Sequence, residues 1–181
     1  MVDEHGVPVE KAVVRVTPVG KALGYVLPWA ETDAQGRFAI RKLDWGTWST
    51  SASKPSEGYP DLPSVLYEKG GKLPMVVLSA SSPAAEVEIQ FAPKAGILTG
   101  RVSDSVTGAP IQADFEFRRH GSSRFEFGMG QPSNYRVFLP ASETMDMKVS
   151  APGYQTAYFP ALNLSSGEEQ KFDIELQPTP Q

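Results

Sequence analysis

Apolar and polar residues alternate along most of this chain. Residues 12 to 17 place Ala12, Val14 and Val16 on one side. Residues 86 to 91 turn Val87, Ile89 and Phe91 inward and Glu86, Glu88 and Gln90 outward. Residues 112 to 118 set Ala113, Phe115 and Phe117 against Asp114, Glu116 and Arg118. Residues 144 to 150 set Met145, Met147 and Val149 against Thr144, Asp146 and Lys148. Residues 171 to 177 set Phe172, Ile174 and Leu176 against Lys171, Asp173 and Glu175. A period of two with one wet face predicts half-buried antiparallel strands. Turn-forming clusters recur roughly every 8 to 12 residues, the spacing of a β-sandwich. Prolines interrupt most helical candidates, and a single helical turn is expected only within residues 62–70.

The densest turn-and-strand signal is Thr32-Asp33-Ala34-Gln35-Gly36-Arg37-Phe38-Ala39-Ile40, continuing through Leu43-Asp44-Trp45-Gly46-Thr47-Trp48. Asp33 can accept a bond from its own backbone two residues on, and Gly36 can take positive φ without a Cβ clash. The stretch predicts a tight turn, a short strand with Phe38 and Ile40 on one face, a second turn, and a further strand. Trp48 falls in phase with the core of that further strand.

The pattern occurs twice. Gly6-Val7-Pro8-Val9 matches Gly108-Ala109-Pro110-Ile111 at an offset of 102, and Phe38-Ala39-Ile40 matches Tyr135-Arg136-Val137 at 97. Gly58-Tyr59 matches Gly153-Tyr154 at 95, and residues 87–93 match residues 172–178 at 85. Four landmarks in one order predict two copies, residues 1–94 and 95–181, joined near Pro93-Lys94-Ala95-Gly96. The second copy opens on a leading strand, Gly96-Ile97-Leu98-Thr99-Gly100-Arg101-Val102-Ser103-Asp104. The first shows only the tail of that strand, Val2-Asp3, and starts abruptly inside a strand and turn. Its first strand is therefore expected to be truncated, leaving a neighbour with an unpaired edge.

Composition narrows the function classes. Among 181 residues, 40% are hydrophobic and 21% charged, an ordinary globular balance. Gly and Pro number 16 each, which favours short strands and turns. A net charge of −4 gives no electrostatic footprint for nucleic acid or an anionic membrane. The absence of cysteine removes disulfides, thiol catalysis and cysteine-ligated metals. No apolar run approaches the ~18 residues of a membrane helix, so no direct membrane insertion is expected. Met1-Val2-Asp3-Glu4 lacks the basic and apolar regions of a signal peptide.

These landmarks together resemble the carboxypeptidase regulatory-like domain, a transthyretin-like seven-stranded sandwich of the immunoglobulin-like kind. In the first copy the resemblance rests on Gly6, Pro8, Val9, Ala12 and Val14, then Thr32, Asp33, Gly36 and Phe38, then Leu43 and Gly46, and last Gly58 and Tyr59. Trp48 stands where the family usually has Tyr. In the second it rests on Gly100, Val102 and Asp104, then Gly108, Pro110 and Ile111, and Gly153 and Tyr154. There the Thr-Asp-x-x-Gly turn is replaced by Met129-Gly130-Gln131-Pro132-Ser133, and one residue is missing between Pro110 and Ala113. The resemblance implies an all-β chain of two tandem sandwiches of about seven strands each. It also implies a bacterial exported protein, whether periplasmic, cell-surface or secreted.

Catalysis is not expected. The two histidines, His5 and His120, fall in different copies, too far apart in sequence for a zinc-peptidase ligand set. Asp33 alone is far short of the ~6 to 8 oxygens a calcium ion takes. The ending Gln177-Pro178-Thr179-Pro180-Gln181 lacks the signature of transthyretin-like purine-pathway hydrolases. Ser53-Lys54-Pro55-Ser56-Glu57-Gly58-Tyr59 resembles a box of adhesins that cross-link Lys to Asn. However, Ala52 and Ser53 stand where the catalytic Glu belongs, and both asparagines, Asn134 and Asn163, lie in the second copy. No cofactor and no metal are expected.

Binding features remain. Trp29 follows Pro28 in an enlarged loop with Tyr25, and Trp45 stands in the second turn of the densest stretch. With Tyr67 they form a candidate aromatic platform for a sugar ring or a protein side chain. Arg119, His120 and Arg124 gather at a hairpin tip in the second copy, a candidate for an anionic glycan or acidic partner. The expected function is a non-catalytic binding or spacer module with a polysaccharide or another protein as partner. The alternatives are a purely structural pair that presents an enzyme or receptor, and a self-crosslinking adhesin-type sandwich.

Overall fold

The computed structural model describes residues 1–20, 27–60, 74–125, 127–141 and 143–180. They form two compact units, Met1–Lys94 and Ala95–Gln181. Both units are all-β, and each sandwich is built on an antiparallel four-stranded sheet.

In the first unit, β1 (Val13–Pro18), β2 (Trp29–Glu31), β3 (Gly46–Ser53) and β4 (Met75–Leu78) make a sheet of order β2-β1-β3-β4. Alternation decides which side is inside: Val14 and Val16 are buried between half-buried Val13, Arg15 and Thr17. Met1, Val9 and Ile89 pack over that face, joined by half-buried Phe38, Ile40, Val87 and Phe91. Trp48 is buried as its strand phase requires, and its indole N–H donates to the Asp44 carbonyl at 3.0 Å.

The second unit adds β5 (Gly96–Asp104), β6 (Ala113–Arg119), β7 (Phe127–Gln131), β8 (Asn134–Leu139), β9 (Met145–Ser150), β10 (Ala157–Leu162), β11 (Glu169–Lys171) and β12 (Ile174–Leu176). One of its two four-stranded sheets runs β7-β6-β9-β10, the order found in β2-β1-β3-β4. The facing sheet is centred on β5, with β8 antiparallel on one side and β11 and β12 parallel on the other. Between them lie Leu98, Phe115, Phe117, Met145, Met147 and Leu164, all fully buried or nearly so.

The structure corrects several expectations. Residues 86–91 and 171–177 are not antiparallel: Gln90 pairs with Val2, and Ile174 with Val102, in parallel. A period of two looks the same for either direction, so the pattern could not carry strand sense. Phe38 and Ile40 keep their inward phase, but no ladder holds them. Met129 to Gln131 belong to β7, leaving Pro132 and Ser133 to turn the chain. Asp146, expected on a wet face, is only 8% exposed because three donors close over it. The helical turn expected at residues 62–70 falls outside the described residues. The one short helix among them is the 3₁₀ turn Pro55–Glu57, which ends at Gly58.

Candidate functional site

Main-chain hydrogen bonds set the two units in register. In the second, the Val102 N–H donates to the Ser133 carbonyl at 2.7 Å, and the Ile111 N–H donates to the Val102 carbonyl at 3.0 Å. In the first, the Met1 ammonium donates to the Gly36 carbonyl at 2.8 Å, and the Val9 N–H donates to the Met1 carbonyl at 3.4 Å. Ser103 bridges Pro110 as Val2 bridges Pro8. Met1 therefore occupies the place of Val102. Asp3 correspondingly occupies that of Asp104, and each carboxylate accepts two backbone N–H bonds from the turn it starts. The Val7 N–H is the main cause holding the Asp3 carboxyl below its usual range, and the Thr107 N–H does the same for Asp104.

This register exposes what differs between the units. In the second, six residues of β5 precede Val102 and pair with β8 from Gly96↔Leu139 to Arg101↔Asn134. In the first, residues 37–42 occupy the β8 position and residues 84–86 the β11 position, with no strand between them. A cleft of about 860 Å³ lies there. Its floor is Met1, Val16, Phe38, Ile40, Val76 and Leu78, and Trp45 and Pro83 stand on its walls. Among the described residues, no main-chain hydrogen bond joins Phe38, Ala39, Ile40, Arg41 or Lys42 to any other segment. Ala84, Ala85, Glu86 and Val87 likewise make none. The cleft is thus a trough with apolar residues on its floor and Gln35, Arg37, Arg41, Lys42 and Glu86 around it, and among the described residues its two main-chain edges are unpaired. Local chemistry fixes its near end. Asp33 Oδ1 accepts the Gln35 and Arg37 N–H groups at 2.9 and 2.8 Å, and Gly36, at φ +69°, brings its carbonyl to Met1.

The expected site residues fall into separate places. Trp29 and Trp45 are each 56% exposed. They do not form one platform. Trp29 pairs beside Arg15, which pairs with Ser51, while Trp45 lies just beyond Gly46 at the far end of β3. Five residues of strand separate those register points, about 17 Å. Tyr25 and Tyr67 lie outside the described residues. Trp45 alone opens onto the trough.

Two arginines and the histidine of the second unit's hairpin meet acids. Arg119 Nε donates to Glu143 Oε2 at 2.8 Å. Arg118 Nε donates to Asp146 Oδ2 at 3.0 Å, and His120 Nδ1 lies 2.7 Å from Asp146 Oδ1. The Ala161 N–H, at a bulged position of β10 with φ +56°, donates to the same oxygen at 3.1 Å. Chiefly through His120, then Ala161, the Asp146 carboxyl is held down to about 2. Arg124 is exposed, and its main chain closes a turn with Ser122. The cluster ties β6 to β9 and β10.

Asp146 should accordingly stabilise the second unit at neutral pH. Its folded pKa lies below the unfolded value, so its contribution is complete above about pH 4 and fades as pH falls toward 2. Asp146→Asn should lower the stability of the second unit by roughly 1–2 kcal/mol at pH 7, allowing for screening through its partly exposed partners Arg118 and His120. The loss should shrink below pH 4, as thermal melts from pH 7 to pH 2 would show. Equal losses at both ends would remove this role.

The sequence did not mark the trough as a site. Phe38 and Ile40 read as scaffold, and Val76 and Leu78 drew no attention. The available signal was the leading strand of the second copy, of which the first shows only the tail, Val2-Asp3. Among the described residues no group of three or more His, Asp or Glu is placed to hold a metal. No described helix is long and apolar enough to cross a membrane.

No protein-family profile matches the chain, and no curated protein does. Solved structures give only distant likeness. The chain aligns over 98% of its length with 32% of the Bacillus anthracis TIE protein, at 16% identity and a TM-score of 0.39. It aligns over 99% with 61% of a streptococcal ancillary pilin, at 15% identity and a TM-score of 0.37. A C-terminal fragment of the pilus adhesin SpaC from Lactobacillus rhamnosus GG matches over 99% of this chain and 95% of its own, at 10% identity and a TM-score of 0.36. The chain thus spans about a third of the first of these proteins and under two thirds of the second. Likeness at this level carries no argument about function. The class rests on the chain's own strands: a tandem all-β protein whose two units share one sheet order.

Proposed function

We propose that this chain is a non-catalytic contact module, a pair of carboxypeptidase regulatory-like sandwiches from a bacterial exported or cell-surface protein. The observation that carries the reading is the trough of the first unit, where apolar side chains and an exposed indole meet. In the second unit Arg118 and Arg119 pair with Asp146 and Glu143, His120 Nδ1 lies 2.7 Å from Asp146, and Tyr154 donates to Asp104 at 2.9 Å. Apolar side chains without convergent polar groups favour a protein over a polysaccharide as partner.

Carbohydrate is the second reading, favoured by the exposure of Trp29 and Trp45. Their separation makes each a single-ring subsite at most. A polysaccharide panel titrated against the intact protein, followed by Trp emission, tests it. Under the leading reading no glycan shifts the emission, whereas a saturable shift that Trp45→Ala abolishes would establish the sugar site. The self-crosslinking alternative finds little support. Asn134 and Asn163 are exposed, and Lys54 is paired with Glu57 at 2.6 Å.

A further inference from the structure

We propose that copies of this chain join head to tail, with edge strand β4 of one copy pairing antiparallel with edge strand β7 of the next. Among the described residues each of these strands ends its sheet, paired on one side only. The contact is independent of the trough, because it uses the outer edge of β4.

Hydrogen-bond alternation decides what each edge offers. The Thr50 N–H donates to the Pro74 carbonyl at 2.8 Å, so Val76 and Leu78 turn their main chain toward β3, and Met75 and Val77 turn theirs outward. The His120 N–H donates to the Thr144 carbonyl at 2.8 Å, so Glu116 and Asp114 bond toward β9 and Phe115 toward β7. Met129, opposite Phe115, therefore gives its main chain to β6, and Gly128 and Gly130 present theirs to the open side. Edge strands are commonly guarded by charge, proline or a bulge. Strand β10 is guarded, with Pro160 and a bulge between Phe159 and Leu162. Strands β4 and β7 hold no charged residue and no proline.

The side chains of the two edges match as well. Met75 and Val77 project from the wet face, 64% and 60% exposed, whereas Gly128 and Gly130, opposite Glu116 and Asp114, leave that face of β7 bare. Pairing Met75 with Gly130 and Val77 with Gly128 lays each large side chain over a glycine, and brings Val76 beside Met129 on the inner face. A cavity of about 450 Å³ adjoins Gly130, bounded by Asp114, Pro132 and Pro152, and the flexible Met75 side chain falls opposite it. Nothing within the chain requires glycine at 130. Its φ is not positive, and an added Cβ would meet only Asp114 Oδ1, at an ordinary 3.4 Å. Such a strand glycine marks the close approach of another backbone. Pairing β7 with β7 of a second copy would instead set glycine against glycine and leave Met75 and Val77 in water. One short edge is a small interface, of the transient class below ~1,200 Å², so association is read at high concentration.

The test uses the intact protein, which has no cysteine of its own. Val76→Cys and Met129→Cys are made separately, one of them isotopically heavy. In the paired strands residues 76 and 129 form a non-hydrogen-bonded pair with Cα atoms ~4.5 Å apart, within disulfide reach. Mixed under mild oxidation, the two proteins should form the mixed disulfide at least tenfold faster than either self-disulfide. Equal rates for the three products overturn the proposal, and so does a dominant Met129→Cys self-disulfide, which would mean that β7 pairs with itself. Sedimentation of the unaltered protein should show mass rising with concentration. Gly130→Val, which fills the place opposite Met75, and Val77→Lys, at an exposed position, should each weaken that association at least tenfold with unchanged circular dichroism melting of the monomer. Undiminished association of both variants, or a parent protein that stays monomeric at millimolar concentration, overturns the proposal.

Discussion

Gly36→Ala should unfold the first unit at temperatures where the second remains folded. A Cβ at residue 36 would lie 2.2 Å from the Met1 carbonyl oxygen and 3.3 Å from its carbon, both backbone atoms with nowhere to move. The φ of +69° adds the cost of a left-handed conformation for any other residue, about 1 kcal/mol. Together these amount to roughly 3 kcal/mol or more. For a domain of this size that lowers Tm by about 12–24 °C. Calorimetry should show one transition moving and the other fixed. Gly6→Ala is the control. It shares positive φ, at +83°, but nothing lies within 4 Å of its Cβ position, so its cost should be about 1 kcal/mol. Equal shifts for both variants would mean that contact with Met1 is unimportant.

Phe115→Ala should have the mirror effect on the second unit, at a cost of about 3–5 kcal/mol. Phe115 is fully buried, with its ring 4.8 Å from that of Tyr135 and 6.3 Å from that of Phe117. It lies in β6 of one sheet and meets Tyr135 in β8 of the other, so its removal opens a void between the layers. The Tyr135 hydroxyl donates to the Phe172 carbonyl, and burial raises its pKa. Losing the neighbouring ring would weaken that tie as well. Chemical denaturation followed by circular dichroism should show the second unit's midpoint falling while the first is unchanged. A loss under 1 kcal/mol would show that the site collapses to refill the space.

The sandwich was legible because its signals are local. Alternation marked β1, β6, β9 and β12, and the Asp33–Gly36 turn followed from side-chain chemistry within four residues. The four repeat landmarks were legible for the same reason, since each is a turn or strand end. Three things were not. Strand direction at Val2–Gln90 and β12–β5 depends on which segment lies alongside, and periodicity is blind to that. The burial of Asp146 depends on a carboxylate meeting donors from residues 118, 120 and 161. The lining of the trough depends on Val76 and Leu78 coming alongside Phe38 and Ile40 from segments far apart in sequence. Its unpaired edge, by contrast, was expected from the leading strand of the second copy, of which the first shows only Val2-Asp3.

The parallel pairing of β5 with β12 also settles how the second unit would carry tension. Its first strand and its last run in the same direction side by side, so the chain enters at one pole and leaves at the other. A pull on the two ends slides these strands past each other and loads their hydrogen bonds together, where a hairpin would open one bond at a time. Six register pairs, Ile97 to Thr99 and Val102 to Asp104, share that shear. Among the described residues of the first unit, Val2 and Gln90 form the one such pair. The second sandwich is therefore built as a link that resists stretch along its length.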